Sequence, residues 1–326
     1  MPHFNLSFDM RAPEFGAPIA TLYAEALDMV QYCDSRGMDY VTVMEHHGTK
    51  DNYLPTPFVL GAAVAARSKK MRIALGAVIL PLHNPVEVAE QIAVLDLISN
   101  GRVDVVFGAG YVKSEFDMFR VSLHDRAKAL DIGVPLIQRA LSGERFNADG
   151  REVFIRPLST QKPHPPFFMG GGVAATARRA ARFGTGLWPL SPDIIPLYRE
   201  ECAKLGRTPG RVIFNIGWIH VTDDPERTWS QVAPHVLHVA QAYAELTEGA
   251  SSSSPFAGMN DIEAVRAAGI YRVVTPEECI KLSAEADKIG ADFGLAPIIA
   301  GLDPKIGWES LELFHNKVLP HIERSA

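Results

Sequence analysis

An α/β chain of the (β/α)8 TIM-barrel class, with insertions, is the fold that the sequence predicts, and three observations predict it. Short runs rich in β-branched and aromatic residues recur at 4–8, 40–44, 72–80, 103–107, 166–169, 186–190, 212–221 and 292–299. Most are almost continuously apolar, which is how strands read when both faces are covered, as in a parallel sheet. Longer stretches with helical spacing separate them, for example 86–98 and 174–183. The third observation is a shared helix start, in which proline directly follows a capping residue: Thr56-Pro57, Asn84-Pro85, Ser191-Pro192, Asp224-Pro225, Thr275-Pro276 and Asp303-Pro304. The capping oxygen satisfies an orphan N–H, and proline occupies the position whose own N–H would be unpaired. Asn84-x-x-Glu87 and Thr275-x-x-Glu278 also have capping-box spacing. Roughly eight strands alternating with helices favour the barrel over a doubly wound open sheet, although sequence does not show closure.

Two segments interrupt the alternation. Residues 145–156 carry Asn147-Ala148-Asp149-Gly150 between extended runs, which predicts a β-hairpin insertion turned at Asp-Gly. Residues 249–261 (GASSSSPFAGMND) are small, polar and turn-rich and predict a mobile loop, either a lid or slack. Neither interruption has the composition of a domain linker, so residues 1–326 are expected to form one domain.

Composition narrows the function classes. Of the 326 residues, 47% are hydrophobic and 21% charged, so the chain can bury a large core and does not read as disordered. The 32 basic and 38 acidic side chains leave a formal charge of −6 with no basic stripe, which argues against a nucleic-acid or anionic-membrane partner. Cys33, Cys202 and Cys279 are odd in number and scattered, without a CxxC, and fit a reducing cytoplasm. The amino-terminal residues lack the basic and apolar regions of a signal peptide, and no apolar run approaches the roughly 20 residues needed to span a bilayer.

In a barrel, chemistry gathers at the carboxyl ends of the strands. That rule selects Asp9 and Met10, Glu45-His46-His47, Leu82-His83-Asn84, Gly108 to Tyr111, Gly170-Gly171-Gly172, Trp188 and His220. The glycine triplet leaves a strand and opens a helix, with Thr176 in the first helical turn. Two uses fit it: an anion site made from backbone N–H groups and the helix terminus, or a tight turn and nothing more. Gly108-Ala109-Gly110 fails as a dinucleotide fingerprint because Lys113 stands where a third glycine is needed. Its glycines suit a flat ligand lying against backbone. His46 can act as acid or base, or be a buried hydrogen-bonded histidine; His47, its neighbour on extended backbone, points the other way. No HExxH or comparable ligand set points to a metal, and no GxSxG points to a nucleophilic serine. His235 and His238 are read as a solvated helix face, and His83, His124 and His220 as structural.

The block GAVILPLHNPVEVAEQIAVLDLISNGRVDVVFGAGYVKSEF (76–116) resembles the bacterial luciferase-like, flavin-dependent monooxygenases. So do MEHH at 44–47, MGGGVAATARRAARFG at 169–184 and WESLELFHNKVLPHI at 308–322. The resemblance implies a TIM barrel, usually a homodimer, that uses reduced FMN and O2 to oxygenate a small organic substrate such as an aldehyde. An NAD(P)H:flavin reductase would supply the reduced FMN. By position, Gly171, Gly172, Val173 and Thr176 match the phosphate loop. Gly76 and Ala77 match a strand that often carries a non-prolyl cis peptide beneath the flavin ring, and Gly108 and Tyr111 match the segment lining that ring. His46, with His47 beside it, matches the catalytic histidine. The helices at 57–68 and 86–98 resemble those that pair in the family's dimers. A phosphate-binding arginine of the luciferases is Ala109 here, so the resemblance implies either that Arg178 or Arg179 takes its place or that flavin is held less tightly. Two alternatives share the fold: a deazaflavin-dependent hydride-transfer oxidoreductase, and a flavin-binding barrel without catalysis.

Overall fold

The computed structural model describes residues 3–247, 256 and 258–322. In chain order it contains β1 (Phe4–Phe8), α1 (Ile19–Asp34), β2 (Tyr40–Val43), α2 (Pro57–Arg67), β3 (Arg72–Ile79), α3 (Pro85–Ser99), β4 (Val103–Gly108), α4 (Lys113–Phe119) and α5 (Arg126–Leu141). There follow β5 (Phe146–Ala148), β6 (Arg151–Val153), β7 (Phe167–Gly171), α6 (Ala174–Phe183), β8 (Gly186–Pro189), α7 (Ile195–Lys204), β9 (Asn215–Val221) and α8 (Pro225–Leu246). The chain then forms α9 (Ile262–Ala268), β10 (Tyr271–Val274), α10 (Pro276–Ile289), β11 (Asp292–Leu295) and α11 (Pro304–Leu313). This is the expected α/β alternation, and every strand pairing recorded outside the β5–β6 hairpin is parallel.

Tertiary contacts divide the chain into two compact units. One comprises residues 1–42, 46–54 and 215–326, the other residues 43–45 and 55–214. In the first, β9 pairs with both β10 and β11, and β11 pairs with β1. Its core includes Trp229, Val232, Val236 and Val239 of α8, Val265, Tyr271, Ile299 and Leu302. In the second, β3, β4, β7 and β8 follow one another side by side, and Val212 extends the row by a bridge to Leu187. Arg102 closes two helices of this unit at once: its guanidinium donates to the carbonyls of Ala65 in the last turn of α2, of Ser68 and Met71 after it, and of Ser99 at the end of α3. Those carbonyls end helices or turns and would otherwise lack donors.

Most helix starts follow the expected chemistry. Asn84, Ser191, Asp224, Thr275 and Asp303 each accept a backbone N–H through the side chain, with proline at the next position. Thr56 does not, and the capping box forms at Thr275/Glu278 only. At α3 the Glu87 carboxylate instead accepts from Gln91 one turn along. The hairpin turns where expected: Asp149 (φ 48°) and Gly150 (φ 73°) both take the positive φ that a type I′ turn requires. Strand β10 was not foreseen, because its four residues include Arg272 and are too few to show a period. The run at 292–299 is strand only to Leu295, and Ile299–Gly301 form a 3-10 turn. The loop expected at 249–261 lies largely outside the described residues. No described helix is long and apolar enough to cross a membrane.

Candidate active site

The glycine triplet sits where β7 hands over to α6. A Cβ on Gly171 would lie 2.7 Å from the Thr176 hydroxyl oxygen, and Gly171 itself has φ 145°. Only glycine therefore permits the close approach of this backbone to Thr176. Helix α6 is capped by Val173, which offers no side-chain oxygen, and its first turn carries no acidic residue. Its leading N–H groups thus lack a side-chain partner while carrying the positive end of the helix dipole. The Thr176 hydroxyl has no hydrogen-bond partner among the described residues, although Thr176 is buried and its N–H donates to Val173. Gly172 and Val173 are exposed. Uncapped amides, a glycine cradle and a free hydroxyl fit a phosphate monoester such as the tail of FMN. Arg179 pairs with Asp131, its Nε 2.9 Å from the carboxylate, and Arg182 pairs there too. Arg178 remains exposed.

Three strand ends of the same unit meet beside this cradle with almost no side-chain bulk. The Gly76–Ala77 peptide is cis, and the β3–β4 register shifts between Gly76 and Val78. A Cβ on Gly108 would stand 3.2 Å from Ala77 Cβ, and one on Gly170 would stand 2.9 Å from Val106 Cγ1 and 3.7 Å from Ala77 Cβ. Ala77, Gly108 and Gly170 thus form a backbone-lined surface that a planar ring system can lie against. Tyr111 is half-buried just beyond Gly110. At the end of β2, the buried Glu45 carboxylate accepts from the Ile79 N–H at 2.9 Å and pairs with His83 Nε2 at 2.6 Å. Burial opposes charge on His83, but the Glu45 hydrogen bond and charge outweigh it and raise the imidazole's pKa.

His46 belongs to the other unit and stands in an aromatic cluster. Its ring meets Tyr53 edge-on at 4.8 Å and Tyr243 at 5.9 Å. The two tyrosine hydroxyls are 3.0 Å apart, and Phe256 stacks on Tyr243 at 5.0 Å. Arg11, fully buried, lies over both rings, 4.5 Å from Tyr53 and 4.8 Å from Tyr243, and pairs with Asp51. His47 is buried as well. His238 is not solvated as expected: its Nε2 is 2.9 Å from the Asp51 carboxylate. His235 Nδ1 is 2.8 Å from the Ala300 carbonyl, and burial lowers its pKa. Sequence reasoning missed Arg11, Asp51, Tyr53 and Tyr243. Arg11 follows the selected Asp9 and Met10 by one or two residues, and the φ of 58° at Met10 turns the chain there. That adjacency is the one signal that could have drawn attention to it.

The other histidines divide by exposure. His124 is almost wholly exposed. His220 on β9 is buried; Tyr271 donates to the Ala296 carbonyl, which leaves its oxygen to accept from His220 Nδ1 at 3.2 Å. Burial lowers the His220 pKa to about 4.

The family model for luciferase-like monooxygenases matches residues 9–292. The chain belongs to the luciferase-like monooxygenase family of enzymes. It is 24% identical over 319 residues to limonene 1,2-monooxygenase of Rhodococcus erythropolis, covering 90% of this chain and 80% of that one. It spans about half the length of several other curated relatives that it matches. Among solved structures, a monooxygenase of Streptomyces bottropensis shares the fold with a TM-score of 0.82 at 24% identity, covering 98% of this chain and 99% of that one. The oxygenating constituent of 3,6-diketocamphane monooxygenase from Pseudomonas putida, in complex with FMN, gives 0.74 at 18%, covering 99% of each. An F420-dependent secondary alcohol dehydrogenase gives 0.72 at 17%, also covering 99% of each.

The His220 environment makes stability pH-dependent. The folded imidazole stays neutral to about pH 4, whereas the unfolded one takes a proton near pH 6.5. Its contribution is therefore complete above pH 6.5 and drains away as pH falls toward 4, a loss of about 3 kcal/mol. Denaturant unfolding of the wild type and of His220→Gln between pH 7 and 4 should show the steeper decline in the wild type. Parallel declines would remove the assignment.

Proposed function

We propose that the protein is the oxygenating component of a two-component monooxygenase. It takes reduced FMN as co-substrate from a separate NAD(P)H:flavin reductase and uses O2 to oxygenate a small organic substrate, an aldehyde being the first class to assay. The observation that carries this is the uncapped start of α6, with the unpartnered Thr176 hydroxyl over Gly171. The named oxygenating constituent with FMN among its fold neighbours supports a separate reductase.

Reduced flavin, when bound, supplies the electrons that activate O2 for insertion into an organic substrate. The chain's own residues do the rest. Backbone N–H groups at Gly172, Val173 and the first turn of α6, with the Thr176 hydroxyl, hold the phosphate; Gly171 makes room for them. Gly76, Ala77, Gly108 and Tyr111 offer the surface for the ring. His46 holds or releases a proton at an imidazole nitrogen, with His47 as the second candidate. The rings of Tyr53, Tyr243 and Phe256 keep water from His46, which protects any proton-sensitive step.

Deazaflavin-dependent hydride transfer is the second reading, and the fold likeness to the F420-dependent dehydrogenase favours it. Equilibrium binding of each cofactor separates the two. A homodimer also belongs to the proposal. Helix α3 buries Val88, Ile92 and Leu95 yet leaves Val94, Leu97 and Ile98 exposed, and α2 leaves Val59 exposed. A helix apolar on both sides expects cover on both. Light scattering should give twice the 35.6 kDa of one chain; a single-chain mass would remove the dimer. The scattered, buried cysteines favour a cytoplasmic setting.

Anaerobic titration with reduced FMN tests the cradle. Thr176→Ala should weaken binding by about 1 kcal/mol, roughly fivefold, for one lost hydrogen bond. Gly171→Ala should weaken it at least tenfold, because its Cβ displaces the hydroxyl. Wild-type affinity in both variants would leave the glycines a turn and nothing else. His46→Ala should bind FMN within about twofold of wild type yet lose on the order of 10²-fold in turnover. Unchanged turnover would mark His46 as structural.

A further inference from the structure

We propose that Arg11 is a positioning residue for His46, acting through the rings of Tyr53 and Tyr243. Its kinetic consequence rests on the catalytic role of His46 proposed above; the geometric claim does not.

Arg11 leaves β1 two residues after Asp9, and backbone bonds sew this turn to the loop that carries His46. Leu54 N–H donates to Asp9 at 3.0 Å, Ala12 N–H to Asp51 at 2.7 Å, and His46 N–H to Leu54 at 3.1 Å. The Asn52 side chain donates to the Ala12 carbonyl at 3.0 Å. Enclosed by these bonds, the guanidinium lies over both tyrosine faces and pairs with Asp51 through Nη1. Among the described residues its Nη2 makes no recorded hydrogen bond, and its Nε stands 3.5 Å from Asp9 Oδ2 without forming one, although both nitrogens are buried. An arginine placed only to neutralise a carboxylate would direct those donors at acceptors. Here the ring faces take their place, as cation–π attraction and a planar guanidinium allow.

The charge is built to persist. Asp51 would be pushed up by burial, but His238, Arg11 and Thr49 hold its carboxyl well below the usual range. Asp9 shifts the other way, raised by burial against the pull of Arg11. Arg11 therefore has one firm counter-ion and two aromatic walls, and those walls are the rings that meet His46 edge-on. The three rings are mutually near-perpendicular: 82° for His46 with Tyr53, 75° with Tyr243 and 83° between the tyrosines. Rotating either tyrosine would uncover the cation on one side and release the imidazole on the other. A lysine at position 11 would keep the charge and lose the planar contact.

The test follows the His46 Cε1–H resonance in the full chain labelled at histidine and free of cofactor, assigned by its disappearance in His46→Ala. In the wild type it should be displaced from the random-coil position by the flanking rings. Arg11→Met alone would strand the Asp51 carboxylate, so the principal variant is Arg11→Met with Asp51→Asn, which removes both charges. Its His46 resonance should move toward random coil. Tyr243→Leu, which removes one ring and keeps Arg11, should move it likewise, while Tyr243→Phe should leave it in place; these two decide the matter if the double variant fails to fold. A resonance that stays put in the double variant, or in Tyr243→Leu, overturns the proposal. In turnover assays the double variant should lower kcat on the order of tenfold or more, with KM little changed, since misplacing one catalytic group is costly. The same change in a His46→Ala background should cost nothing further; an equal cost there means that Arg11 acts independently of His46 and overturns the kinetic claim. A moved resonance with unchanged turnover would uphold the positioning and refute the catalytic role of His46.

Discussion

The close approach of backbone to neighbouring side chains at the exit of β7 is the constraint on which the rest of the site depends. No side-chain carbon fits between Gly171 and the Thr176 hydroxyl, and none fits at Gly170 beside Val106. Where Cβ atoms are excluded, N–H groups become the chemistry that the chain presents, and at a helix start they arrive together and with a dipole behind them. Val173 leaves the start of α6 without a side-chain cap. At six other helix starts among the described residues a serine, threonine, asparagine or aspartate fills that place with a side-chain acceptor. A ligand that brings its own oxygens completes the helix as a capping residue would.

The His46 cluster solves a different problem by different means. There a charge is kept away from water, and it survives because its partners are arranged around it: one ionised carboxylate, two aromatic faces and a histidine on that carboxylate. Buried ion pairs add little stability over an apolar core, and their more secure use is to specify one arrangement. The alignment of three rings around Arg11 is such an arrangement. The start of α6, by contrast, offers backbone amides and one hydroxyl, and the nearby Arg179 pairs with Asp131.

What the sequence disclosed follows the range of the interactions. Most caps, the Asp149-Gly150 turn and the strand–glycine–helix exit at 169–176 are decided by neighbours within a few residues and could be read directly. The cis bond at Gly76–Ala77 was anticipated from resemblance, not from composition or spacing. Tyr53 and Tyr243 meet across 190 residues, and neither carries a local pattern that marks it. His238 looked solvated because it stands three residues from His235 on what reads as a surface helix; its partner Asp51 lies on a distant loop. Strand β10 escaped for the opposite reason, being too short for any period to show.

Division of labour between backbone and side chains bears on what can vary. A cradle made of amides tolerates change at Val173, which is exposed and contributes its N–H whatever its side chain, but not at Gly171, where the added carbon is itself the obstacle. The ring cluster has the reverse sensitivity, since its backbone bonds would survive most substitutions while its function resides in planar side chains held at fixed angles. On the function proposed above, cofactor retention and proton handling can therefore be altered one at a time. On that reading, a fold that separates them in this way can keep one cofactor while its substrate changes, because the residues proposed to grip the phosphate share no atoms with those around the histidine.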